Sequence, residues 1–120
     1  MKPPRTSTVA IGRAAERRVA EHLGERGYVV LGVNVRVGRD ELDVVALDGR
    51  TVVIVEVRTR TNESRGNAFE SVTRAKASRL RRAAERYFAE HDADEVRIDV
   101  AAVDGDVIDI VENAIDFTST

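Results

Sequence analysis

The chain reads as an α/β protein, a three-layer α/β/α sandwich around a mixed sheet, in the order helix, three strands, helix, then one or two strands. Residues 42–47 and 51–57 are β-branched and almost wholly apolar, and Asp48-Gly49 between them is a strong tight-turn signal. Strands that are apolar on both faces need cover on both. Two amphipathic segments, 9–26 and 73–91, are the only helices available to provide it.

The first helix is predicted over 9–26. Val9, Ala10, Ala14, Ala15, Val19, Ala20 and Leu23 recur at about 3.6 residues, with Arg13, Arg17, Arg18, Glu21 and Glu25 on the other side. Thr6, Ser7 or Thr8 can cap its start, and Gly27 suits its end. Residues 28–36 form the first strand, and Val37 to Asp40 a turn into the hairpin. Thr59 to Gly66 is a polar loop, and 67–72 a short helical turn. Thr73 is a good N-cap for a second helix to about His91, with Leu80, Ala83, Ala84, Tyr87 and Phe88 on its apolar side. A strand over 95–103, the turn Asp104-Gly105 and a short strand at 107–111 complete the order. One domain over 9–112 is expected, between a disordered tail at 1–8 and a frayed acidic end at 113–120.

At 120 residues the chain can bury one ordinary core. It has no cysteine, which excludes disulfides and thiolate metal sites. It shows no signal peptide and no apolar stretch near the ~20 residues that span a bilayer, so a cytoplasmic protein without a membrane partner is expected. The net charge of −2 conceals an asymmetry: residues 1–90 carry +6 and residues 91–120 carry −8. A basic body permits a nucleic-acid partner, and solvated helix faces with an acidic end explain the same balance.

The chemistry concentrates in the hairpin. If Asp48 and Gly49 are the central turn residues, Glu41 lies opposite Glu56 and Asp43 opposite Ile54. Alternation then puts Glu41, Asp43, Glu56 and Arg58 on one face, away from the turn, and a register shifted by two keeps them there. Carboxylates crowded at the end of a buried sheet repel one another and lose hydration, unless cations hold them. A divalent ion with oxygen ligands does so, and its bound water can serve phosphodiester cleavage. Glu16 in the first helix can lean over the same strand ends. The plain alternative is a structural ion network in which Arg58 pairs with these acids.

Of two lysines against 17 arginines, Lys76 alone falls in the folded body. It sits in the first turn of the second helix, where a cation opposes the macrodipole and a capping box would place Glu or Gln. There it can meet an anion such as a phosphate, or simply be exposed. Arg74, Arg79, Arg81, Arg82 and Arg86 offer a basic face to a phosphate backbone, which Glu70, Glu85 and Glu90 partly offset, or simply a solvated helix surface. Aromatic residues are too sparse for a base-stacking platform. His22 and His91 have no metal-ligand spacing, and no phosphate-cradling glycine loop or nucleophile elbow is present.

Gly12-Arg-Ala-Ala-Glu16, Gly27-Tyr28, Asn34-Val-Arg36, Glu41-Leu-Asp43, Val55-Glu56-Val-Arg58-Thr-Arg60 and Lys76-Ala-Ser-Arg79-Leu80 occur in this order. Over residues 11–101 the pattern resembles the YraN-type family of small, uncharacterised bacterial proteins. That family is similar in turn to archaeal Holliday-junction resolvases and the PD-(D/E)XK nuclease superfamily. The resemblance implies a restriction-endonuclease-like fold, with Asp43 and Glu56 as ligands of Mg²⁺ or Mn²⁺ and Glu16 as a supporting acid. Glu41 is a further candidate ligand. The lysine expected third in the motif is replaced by Arg58, which keeps the charge but cannot act as a general base. Lys76 can supply the missing amine, as relocated lysines do in some superfamily members, or Arg58 suffices as a cation.

The expected activity is metal-dependent cleavage of structured or branched DNA. Asp43, Glu56, Glu16, Arg58 and Lys76 would form the site, and Arg60, Arg74, Lys76 and Arg79 would contact nucleic acid. A homodimer would suit a substrate with two strands to engage. The alternatives are a non-catalytic nucleic-acid-binding module and an interaction protein that keeps the fold.

Overall fold

The computed structural model describes residues 8–59 and 72–117. The expected helical cap at Thr6 or Ser7, nearly all of the 1–8 tail and of the 59–72 connection, Arg60 and the last three residues of the acidic end lie outside them. Seven elements follow in order: α1 (Thr8–Glu25), β1 (Val29–Val37), β2 (Asp40–Asp48), β3 (Thr51–Thr59), α2 (Arg74–Ala89), β4 (Glu95–Asp104) and β5 (Val107–Ile115). The five strands form one sheet in sequence order, parallel only between β3 and β4, where α2 makes the crossover. The expected mixed sheet and three layers are present.

α1 covers one face, packing Ala15, Val19 and Leu23 on Val44, Val53, Val55 and Ala101. α2 covers the other, packing Leu80, Ala83, Ala84 and Tyr87 on Val45, Val52, Ile54 and Ile98. The apolar stripe of α1 is shorter than its spacing predicts. Val9 and Ile11 are 67% and 46% exposed, and Ala14 is exposed too. Gly27 ends α1 at φ +91°, and Tyr28 N donates back to Leu23 O at 3.0 Å. Thr73 caps α2, its Oγ1 accepting from Lys76 N at 3.2 Å.

Two expectations need correction. The β2–β3 hairpin turns on Gly49-Arg50, because Asp48 pairs with Thr51 and Gly49 takes φ +61°. A glycine at the first central position is what a type II′ turn requires. The register therefore moves by two, and carried one pair beyond Val44–Val55 it sets Asp43, rather than Glu41, opposite Glu56. Second, residues 113–115 belong to β5. Ile115 is buried and pairs with Ile98, and Asn113 N donates to the buried Asp99 Oδ1 at 2.9 Å. The anchor for that stretch is a side chain on β4, which strand periodicity within 107–115 does not reveal.

Alternation also fails at one point on β2. Leu42 packs in the α2-side core while Val44 packs in the α1-side core, although residues two apart on a regular strand share a face. Asp43 lies between them.

Candidate functional site

The site occupies the end of the sheet remote from the Gly49-Arg50 turn. Beyond Val44–Val55 the β2–β3 pairing is taken over by a side chain: the Val57 amide donates to Asp43 Oδ2 at 2.9 Å. Asp43 stands beside two other carboxyl groups, Glu56 of β3 and Glu16 of α1. Asp43, Glu56 and Glu16 thus form a row, with Asp43 central.

Burial pushes the Asp43 carboxyl up to about 7, and the adjoining Glu56 adds to the rise. The Val57 amide and the Glu16 contact act in the opposite direction. Glu16 is also raised, first by burial and then by Asp43, against the stabilising hydrogen bond from Asn34. The causes are the ones expected for carboxyl groups gathered away from water.

Glu56 is the deepest of the three, its side chain only 4% exposed. Two cations flank its Oε2: Lys76 Nζ at 3.3 Å and Arg58 Nη2 at 3.7 Å. Neither contact has hydrogen-bond geometry, so Glu56 Oε2 and Arg58 Nε are both buried without a hydrogen-bond partner. Such atoms are costly, and they mark a place suited to a further polar ligand.

Asp43 and Lys76 open onto a cavity of about 230 Å³, which Arg39 and Arg79 also line. Arg79 therefore lies beside the carboxylate and Lys76. Arg74 does not: it lines a separate groove with Arg81, Val111 and Ala114, between α2 and β5. Glu41 is exposed at the rim, and its Oε1 accepts from Asn34 Nδ2 at 3.3 Å. Asn34, Arg13 and Arg39 belong to this end of the molecule, and sequence reasoning assigned none of them a role. For Asn34 the available signals were its place in the Asn34-Val-Arg36 motif and a lone amide between Val33 and Val35 in an apolar strand.

The donor set fits a hard divalent ion in part. Among the described residues no three Asp, Glu, His or Cys side chains form a group that could hold a metal by themselves. Mg²⁺ commonly takes only one or two carboxylates and completes its octahedron with water and phosphate oxygens. Asp43 and Glu56 meet that smaller demand. No described helix is long and apolar enough to cross a membrane.

Residues 15–103, which include every one of these carboxylates, match the family model of uncharacterised protein family UPF0102. The chain belongs to that family. A UPF0102 protein of Beutenbergia cavernae is 51% identical over 96 residues, covering 78% of this chain and 81% of its own. One from Acidothermus cellulolyticus is 39% identical over 122 residues, covering 88% and 92%. A third, from Chlorobaculum tepidum, is 39% identical over 95 residues, covering 78% and 74%. Membership of UPF0102 agrees with the YraN-type resemblance read from the motifs.

Proposed function

We propose that this UPF0102 protein is a Mg²⁺- or Mn²⁺-dependent nuclease-like protein acting on structured or branched DNA. One observation carries the reading: Asp43 and Glu56 meet at the open end of a buried sheet, and the inner oxygen of Glu56 lacks a hydrogen-bond partner. The similarity of the motif residues to the PD-(D/E)XK superfamily supports it.

Asp43 and Glu56 would hold the ion, with Glu16 buttressing Asp43. A bound divalent ion supplies a more acidic water and offsets charge on a phosphate. The reaction is hydrolysis: a water oxygen forms the new bond to phosphorus, the opposite ester bond breaks, and the leaving oxygen takes up a proton. Lys76 is the better placed of the two cations to fill the motif-lysine role, being closer to Glu56 and reaching the cavity that Asp43 lines. Arg58 remains a fixed cation beside Glu56 and steadies charge without exchanging a proton. Arg39 and Arg79 would meet flanking phosphates.

A cleavage assay on linear, nicked and four-way-junction DNA, with Mg²⁺ or Mn²⁺, tests the reading. Wild type should cut at least one of these, and Glu56→Ala should not. Absence of cleavage by wild type sinks the enzyme reading. Salt-sensitive DNA binding retained without cleavage would favour a non-catalytic binding module, for which Arg58 in the lysine position is the specific argument. Loss of both would leave an interaction protein on the same fold.

A further inference from the structure

Asn34 is the most unusual residue near the carboxylates. It lies within β1 at φ +55°, a left-handed conformation that a non-glycine residue seldom adopts and Asn tolerates best. Its flanking pairs are Val33–Val44 and Val35–Leu42, so Asn34 falls opposite Asp43, at the position where β2 loses its alternation. The two irregularities face each other across the ladder.

The side chain is equally committed. Nδ2 donates to Glu16 Oε1 at 2.8 Å and to Glu41 Oε1 at 3.3 Å. Oδ1 accepts from Arg13 Nη1, which fixes which end of the amide faces the acids. Asn34 therefore ties α1 to β2 through two carboxylates, one of which touches Asp43.

We infer that Asn34 is a positioning residue: its amide holds Glu16 against Asp43, and its left-handed backbone turns Asp43 toward Glu56. Its effect on a metal rests on the nuclease-like reading above, whereas its hold on Glu16 does not. Residues that orient the ligands of a metal typically change affinity about 10–100-fold when removed.

Two measurements test this. Asn34→Gly keeps the backbone conformation and removes the amide. It should raise the Mn²⁺ dissociation constant, read by electron paramagnetic resonance of free Mn²⁺, by about 10-fold. A purely structural role would lower the melting temperature and leave that constant unchanged, which would overturn the metal part. The second is a double-mutant cycle of Asn34→Gly with Glu16→Ala, followed by urea midpoint in metal-free protein. The single losses should fail to add, because each removes the same hydrogen bond. Additive losses would overturn the positioning role. If Asn34→Gly does not fold, Asn34→Ser takes its place in the cycle, removing the amide without adding a charge beside Glu16 and Glu41. Wild type that binds no Mn²⁺ would count against the nuclease-like reading, and the cycle would still decide the role of Asn34.

Discussion

Lys76 Nζ lies 3.3 Å from Glu56 Oε2, so the one lysine in the described part of the chain neutralises its most buried site carboxylate. A helix would not choose a cation in its first turn, where the macrodipole is unfavourable by a few tenths of a kcal/mol, about 0.3 or more. The carboxylate of β3 supplies the reason for its position.

Lys76→Met should therefore destabilise the metal-free protein. The side chain is 35% exposed, so solvent screening limits the loss to about 1 kcal/mol. Urea denaturation at neutral pH reads it, and an unchanged midpoint would count against the pair. Added Mn²⁺ should raise the midpoint more in the variant than in wild type, since the ion replaces the missing charge.

The raised pKa of Asp43 sets a pH dependence. Its folded value, about 7, lies above the ordinary 3.8, so the native state holds a proton that the unfolded chain has released. Stability should fall as pH rises from about 4 to about 7 and level off above that. Asp43→Asn should flatten this decline and stabilise the metal-free protein at pH 8 by on the order of 1–3 kcal/mol. A variant as pH-sensitive as wild type over that window would contradict the assignment.

Arg58→Lys tests which cation would serve the proposed cleavage. If Lys76 fills the lysine role, Arg58→Lys should leave cleavage within about 3-fold, while Lys76→Met lowers it about 10²–10⁴-fold, the range of a lost acid–base group. A large gain in Arg58→Lys would instead identify position 58 as the impaired motif lysine.

Asp99 anchors the far edge of the sheet. It is 1% exposed, accepts from Arg97 Nε at 3.1 Å and from Asn113 N at 2.9 Å, and Arg97 Nη2 continues to Tyr28 Oη at 2.8 Å. Asp99→Ala would leave Arg97 Nε and the Asn113 amide without their acceptor, while Arg97 keeps Asp48 and Tyr28, at a cost of about 1–3 kcal/mol. Hydrogen exchange should quicken first in the 111–115 half of β5. Uniform quickening would show that Asp99 supports the whole fold instead.

Much of this architecture was legible from local pattern. Paired β-branched runs, the glycine in the hairpin turn, Thr73 as a cap and the Leu80–Tyr87 stripe each declare their element without help from distant residues. Asp43, Glu56, Glu16 and Lys76 were legible as well, because ionisable residues in apolar surroundings are costly and so conspicuous. Asn34 stood out only as part of the Asn34-Val-Arg36 motif and its role did not: an amide in a strand carries no charge signal, and its left-handed φ is a property of the folded backbone. The stretch 113–115 was missed for a related reason, since its anchor, Asp99, lies on another strand.

The order of elements and the two-sided cover of the sheet follow from local pattern, because periodicity and burial cost are local, and the same burial cost singled out Asp43, Glu56 and Glu16 as candidates. The register of the hairpin, the break in β2 beside Asp43 and the choice of Lys76 as partner of Glu56 emerge from the fold. Those depend on which turn residue takes a positive φ and on how α1 and α2 close over opposite faces, relationships between segments distant along the chain.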